Sequence, residues 1–571
     1  MSSSKKKSIP LGVDDYKELI EGNYLYIDKT LLIQELWDTK FKVSLVTRPR
    51  RFGKSIALSM LRYFFEKTKQ SNAHLFEHTK IWQEEGFKKL QGTYPVFHIS
   101  FKDIKYRSWE ESYSAMKSLI AEEVRRVLSP YASEISDYHR PTYEALIHKT
   151  ASITDFDGSI FFTTAVLKEI LGQKTIVLID EYDTPITYAY LHGHYQSTTD
   201  FIRNLFSRGL KGNIHLQQAF MTGVVRTAKD GIMSGLNNPK ICTMLDAYFS
   251  NKFGFTEEEV DSLLQEANRL DQKEKVKDWY NGYVVGTEYL THPSTADRVS
   301  HIYNPWSILS YLAGPIEPKT YWANTGSTEL LERLIAESSF ETQAELAVLL
   351  ENKPLEYKLI NEDVILLELD KKEQEPWSFL LFAGYITATN VQYRDKNHYY
   401  ELSIPNEEIH ELYKKLVVNA IEKTFSSKKL LQLQSALIEG DVAKVSGLLE
   451  EFVASLCSSH DLPQNDLERS LHLFVLGLLS SFSERYTIKS NLESGDGRYD
   501  IAMHPKQPSD PAVVIEFKKG EDLQLEPLAL QALQQIEEKN YVGLIRDFDH
   551  KVRCPPKTGQ WNKLKKVVSF L

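Results

Sequence analysis

Two groups of residues in this chain have the types and spacing for phosphate chemistry. The first lies in Lys42–Glu66, KVSLVTRPRRFGKSIALSMLRYFFE. An apolar run leads into a basic loop that ends in Gly53-Lys54-Ser55, and an amphipathic pattern follows. That order suits a polyphosphate: loop N–H groups and a helix N-terminus face the anion, Lys54 adds a mobile positive charge, and Ser55 offers a hydroxyl to Mg²⁺. The general pattern for such a loop, G-x-x-x-x-G-K-[ST], would place a glycine at position 48, where this chain has Arg48. Arg50 and Arg51 are candidate extra phosphate contacts, the competing reading being a solvated basic loop.

A nucleotide-hydrolysing site also needs a carboxylate near the metal and a base for water. Ile176-Val177-Leu178-Ile179-Asp180-Glu181 supplies both at the carboxyl end of an apolar strand, where open α/β sheets bind ligands. Asp180 would hold the Mg²⁺ water shell and Glu181 would act as general base. Thr222, at the end of the next apolar run, would sense the γ-phosphate. Arg226 would offset transition-state charge from the same or a neighbouring subunit of a homo-oligomer.

The second group is Gly497-Arg498-Tyr499-Asp500 followed by Glu516-Phe517-Lys518. Glu516 and Lys518 are two apart on an expected strand and share a face. Asp500 and Glu516 would chelate a divalent ion, with Lys518 orienting or deprotonating a water beside a phosphodiester. Hard oxygen ligands suit Mg²⁺ or Mn²⁺. Glu468 on a preceding helix would add a ligand, and Gln535 on a following one would position water or backbone phosphate. Such a D…E-x-K spacing is common by chance in charged hairpins. Its weight comes from the order helix, strand with Asp, strand with E-x-K, helix with Gln.

The elements that must position these groups follow from periodicity. Strands are predicted at Lys42–Thr47, Pro95–Phe101, Lys174–Asp180 and Leu216–Gly223, with a fifth at Lys252–Phe255 and a short one at Tyr24–Ile27. Their alternation with helices predicts a doubly wound α/β domain over residues 1–270. Thr256 and Glu259 form an expected capping box. Residues 271–425 pair aromatics with turn residues (WYNGY, YNPWSIL, YWANTGS). They predict a helical extension with a hairpin around Arg394-Asp395-Lys396-Asn397, helix-capping Asn406 and a winged-helix-like character. The aromatic clusters read as packing rather than as a nucleobase platform. Residues 426–571 read as a helical linker and a small α/β domain.

Composition narrows the function classes. With 571 residues, a prior of roughly 100–200 per domain gives three or four domains. The net charge of −10 excludes a wholesale polyanion binder, so a nucleic-acid site must be local. Lys551–Leu571 carries six Lys or Arg and no acid, a candidate backbone tracker. Three scattered cysteines argue against a disulfide framework or zinc knuckle and fit a reducing compartment. No secretory leader or membrane span is expected, and cytoplasmic residence is.

At these motifs the chain resembles a bacterial AAA-ATPase-like family whose members carry a C-terminal PD-(D/E)XK nuclease domain. The resemblance rests on YIDKT (26–30), RPRRFGKS (48–55), IDEYDTPI (179–186), TGVVRTAKD (222–230), FGFTEEEV (253–260), WYNGY (279–283), GRYDIAM (497–503), VIEFK (514–518) and ALQQIEEKNY (532–541). That family writes its loop RPRRFGK[ST], which makes Arg48 a shared trait. The resemblance implies an ASCE-type P-loop core and a restriction-endonuclease-like C-terminal fold. Lys54, Ser55, Asp180 and Glu181 then look like the nucleotide site, and Asp500, Glu516 and Lys518 like the nuclease site. Tyr499 replaces the nominal proline before Asp500, which the chemistry does not require. The implied function is ATP- and Mg²⁺-dependent cleavage of nucleic acid, DNA before RNA. The alternative is a nucleotide switch that binds nucleic acid or a protein without cutting.

Overall fold

The computed structural model describes residues 7–225, 239–291, 299–322, 352–362 and 376–424, parts of 331–350 and 427–451, and the C-terminal strands between 485 and 517 and at 565–569. The chain forms two compact units, Met1–Leu331 with Glu356–Ile409 and Glu332–Leu355 with His410–Leu571.

The first unit is built on a five-stranded parallel sheet. In chain order its strands are β1 (Val43–Thr47), β2 (Val96–Ser100), β3 (Thr175–Asp180), β4 (Leu216–Gly223) and β5 (Lys240–Cys242), and in space they run β2-β3-β4-β1-β5. Every residue of β1 and β3 is buried, as expected for strands covered on both faces. The helix Lys54–Phe65 packs Leu58, Leu61, Phe64 and Phe65 into the core cluster that includes Val46, Leu178 and Phe220.

Strand β4 lies between the strand leading into the basic loop and the strand carrying Asp180. The registers Val46↔Thr222, Ile179↔Met221 and Ser100↔Asp180 bring four strand ends level. Thr222, Asp180, Ser100 and the loop after Thr47 therefore share one edge of the sheet.

Two predicted strands are not formed. Lys252–Phe255 is a turn region in which Gly254 has positive φ (80°), and only an isolated bridge joins Phe255 to Tyr303. The fifth strand is β5 instead, paired with β1. Tyr24–Ile27 makes only a single bridge, Tyr24 to Ser8. The capping box at Thr256 and Glu259 does start the helix Glu257–Glu266.

Beyond the sheet, β6 (Tyr283–Val285) pairs with β7 (Ser300–Ile302), and β8 (Leu355–Leu359), β10 (Asn397–Ser403) and β9 (Thr387–Arg394) form a second sheet. Asp395 and Lys396 both take positive φ (50° and 64°), the two-residue turn whose twist matches a hairpin. Asn406 Oδ1 accepts from Ile409 N at 3.2 Å and caps the helix Glu407–Thr424. In the second unit, β11 (Tyr486–Ser490), β14 (Ile501–Pro505), β15 (Val513–Phe517) and β16 (Lys565–Ser569) make a four-stranded sheet in the order β11-β14-β15-β16. The short pair β12 (Glu493–Ser494) and β13 (Gly497–Arg498) lies outside it.

Candidate nucleotide site and nuclease strands

The basic loop closes on itself. Gly53 takes φ +85°, a left-handed conformation that favours glycine, and its carbonyl accepts the Ala57 N–H that opens the helix. The ammonium of Lys54 donates to the carbonyls of Arg48 (3.0 Å) and Pro49 (2.8 Å), so it spans the loop. Burial lowers its pKa, against the raising pull of Glu181, Asp180 and Asp183.

Asp180 is the hub of the strand ends. Its Oδ2 accepts from Ser55 Oγ at 2.7 Å and more weakly from Ser100 Oγ at 3.4 Å, and its Oδ1 accepts from Thr222 Oγ1 at 2.6 Å. Only 2% of its surface is exposed. Burial pushes this carboxyl up and the Glu181 charge adds to the push, while the Thr222 and Ser55 hydroxyls and Lys54 oppose it. A divalent ion and a polyphosphate would relieve both strained charges, the carboxylate and the ammonium, so the donor set fits Mg²⁺ and a nucleotide.

Glu181 follows with φ +49°, and its Oε2 accepts from Thr184 Oγ1 at 3.1 Å, at the start of the helix Thr184–His192. The turn leaves the side chain half-buried beside Asp180.

Asp183 has a role that motif reading passed over. Its Oδ2 accepts from the N–H groups of Val224 (2.8 Å) and Val225 (2.9 Å), which pins the segment leaving β4 just past Thr222. Its Oδ1 has no hydrogen-bond partner among the described residues and would lie 2.8 Å from a Cβ placed on Gly223. Position 223 thus has no room for a side chain. The available signal was the third acid in Asp180-Glu181-Tyr182-Asp183.

Arg48 is no phosphate ligand in this geometry. It is fully buried, and its guanidinium donates to the carbonyls of Thr47 (2.8 Å), Cys242 (3.0 Å), Thr243 (2.9 Å) and Tyr248 (3.2 Å). It ties the start of the loop to the segment after β5. Burial brings its pKa down to about 10, which still leaves it charged at neutral pH. The Arg51 guanidinium stacks over the Trp306 ring at 4.5 Å, and the Arg50 carbonyl accepts from Trp322 Nε1 at 2.9 Å.

At the C-terminal site, Glu516 sits in β15 in register with Val568, and Ile501, the first residue of β14, pairs with Ile515. Glu468, Asp500, Lys518 and Gln535 lie outside the described residues, as does Arg226, the further candidate for the nucleotide site.

The comparisons with known proteins agree with this architecture. Residues 10–233 match the family described as "Predicted AAA-ATPase", and residues 466–554 match the PD-(D/E)XK nuclease superfamily. The chain thus joins an AAA-ATPase-like domain to a C-terminal domain of the PD-(D/E)XK superfamily. It is also similar to "Uncharacterized protein in vnfD 5'region" of Azotobacter chroococcum mcd 1. That relative is 26% identical over 548 residues, which cover 95% of this chain and 94% of the relative. Among the described residues no helix is long and apolar enough to cross a membrane.

Proposed function

We propose that the chain binds and hydrolyses ATP with Mg²⁺, and that this cycle governs metal-dependent phosphodiester cleavage of nucleic acid, DNA in the first instance, by its C-terminal domain. The observation that carries the first half is the Asp180 carboxylate shared by the Ser55 and Thr222 hydroxyls beside Lys54. Ser55 and Asp180 would hold Mg²⁺, which offsets phosphate charge. Lys54 would turn from the Arg48 and Pro49 carbonyls to the phosphates. Glu181, released from Thr184, would take the proton of the attacking water, and Thr222 would report on the γ-phosphate from its place against Asp180. Arg226 would add charge compensation from this subunit or another.

The second half rests on the superfamily match and on the D…E-x-K order. Asp500, Glu516 and Glu468 would hold the metal, and Lys518 would orient the water. Two carboxylates and a lysine around one phosphodiester are what hydrolysis needs, and a protein that only gripped nucleic acid would not need them.

The nucleotide half is tested by Mg·ATP turnover of the full-length chain. Lys54→Ala is expected to lose binding and turnover together. Glu181→Gln is expected to keep binding and slow turnover by about 10²-fold or more. Unchanged turnover in both variants would sink the assignment.

A further inference from the structure

The loop that would hold the phosphates is gripped from outside by the extension that follows the parallel-sheet core. Asn304, Trp306 and Trp322 belong to segments that the motif reading set aside as packing. In the structure they converge on two residues of the loop. Trp322 Nε1 donates to the Arg50 carbonyl at 2.9 Å, and Asn304 Nδ2 reaches the same carbonyl at 3.4 Å. Trp306 takes the Arg51 guanidinium on its face at 4.5 Å. Glu408 stands behind them and is 1% exposed. Its carboxylate accepts from Ser307 Oγ (2.6 Å), from Trp322 N (2.6 Å) and from Tyr321 N, which fixes the backbone that carries the Trp322 indole. Gly384 packs so closely on Pro49 that a Cβ there would come within 2.7 Å of its ring.

Peptide planarity gives this grip its meaning. The loop has no cis peptide bond, so in the Arg50–Arg51 unit the C=O and the N–H point in opposite directions. Donors from the extension that hold the Arg50 carbonyl therefore turn the Arg51 N–H away from the extension. Arg51 itself has φ +65°, and Gly53 has φ +85°, two left-handed residues in a run whose successive N–H groups can form an anion-binding nest. With its guanidinium on Trp306, Arg51 is left to address a phosphate through its backbone.

We infer that Trp322 and Asn304, with Glu408 holding Trp322, are positioning residues that set the phosphate-binding shape of the loop by clamping the Arg50 carbonyl. This rests on the nucleotide reading above and adds the residues that control it from the extension.

The test is Mg·ATP affinity of the full-length protein by calorimetry, together with hydrogen exchange over residues 49–54 in the absence of nucleotide. Trp322→Phe keeps an aromatic ring, though a smaller one, and removes the donor. Asn304→Asp keeps a helix-capping oxygen for Trp306 N and Ser307 N and removes the amide donor. Each is expected to weaken Mg·ATP binding by about fivefold to tenfold, the effect of losing one buried hydrogen bond. Exchange should rise in 49–54 and stay unchanged in β1 and β3, which a general loss of folding would not do. The double variant should lose less than the product of the single effects, because both donors act at one oxygen. Glu408→Gln should move affinity in the same direction. Wild type that binds Mg·ATP while both single variants match it, with equal exchange in the loop, overturns the clamp alone. Wild type that binds no Mg·ATP overturns the nucleotide reading and the clamp with it.

Discussion

Arg48 occupies the position where the general phosphate-loop pattern has glycine, and its surroundings explain why glycine would not serve here. Four carbonyls from three segments receive its guanidinium. Arg48→Gly would leave those acceptors buried without a donor and open a void against Phe253. We expect a loss on the order of 3 kcal/mol in stability, read by denaturant unfolding, rather than a better nucleotide loop. A variant as stable as wild type would show that the carbonyls find other partners. Residue type and spacing alone singled out Lys54, Ser55 and Asp180, and the fold brings these three side chains together at the strand ends. Arg48's structural role was not legible, since three of its four partners lie about 200 positions away. Asp183 escaped for a related reason: an acid that binds two backbone N–H groups has no sequence signature separate from a solvated acid.

Local patterns at the scale of elements were reliable where a single force dominates. Continuous apolar runs marked β1 and β3, the Thr256 box marked a helix start, and Arg394–Asn397 marked a hairpin. The edge strand β5 has only three residues and no pattern of its own, so tertiary pairing with β1 decides it. Lys252–Phe255 has strand-like residues but turns at Gly254. Glu408 joins the helix Glu407–Thr424 to the backbone at Tyr321 and Trp322. Burial lifts its carboxyl from 4.5 to about 7, opposed by the Ser307 hydroxyl and the Trp322 and Tyr321 N–H groups. A carboxyl whose pKa is raised by folding binds its proton more tightly when folded. Its contribution to stability is therefore complete below the unfolded value and is lost as pH rises through the folded one. The melting temperature should fall between about pH 5 and about pH 8 by more in wild type than in Glu408→Gln. Parallel pH profiles for the two proteins would contradict this assignment.

For the whole molecule, the fold class follows from the alternation of strands and helices. The P-loop architecture adds that β4 separates the loop strand from the Asp180 strand, which lets Thr222 reach Asp180. The joining of an AAA-ATPase-like domain to a PD-(D/E)XK domain raises the central question of whether one controls the other. The most direct measurement is cleavage of single-stranded DNA, double-stranded DNA and RNA by full-length protein with Mg²⁺, with and without ATP, for wild type, Lys54→Ala and Asp500→Ala. The account predicts cutting by wild type that depends on ATP, loss of that dependence or of cutting in Lys54→Ala, and no cutting in Asp500→Ala. Cutting that survives Asp500→Ala, or no cutting of any substrate by wild type, would contradict it.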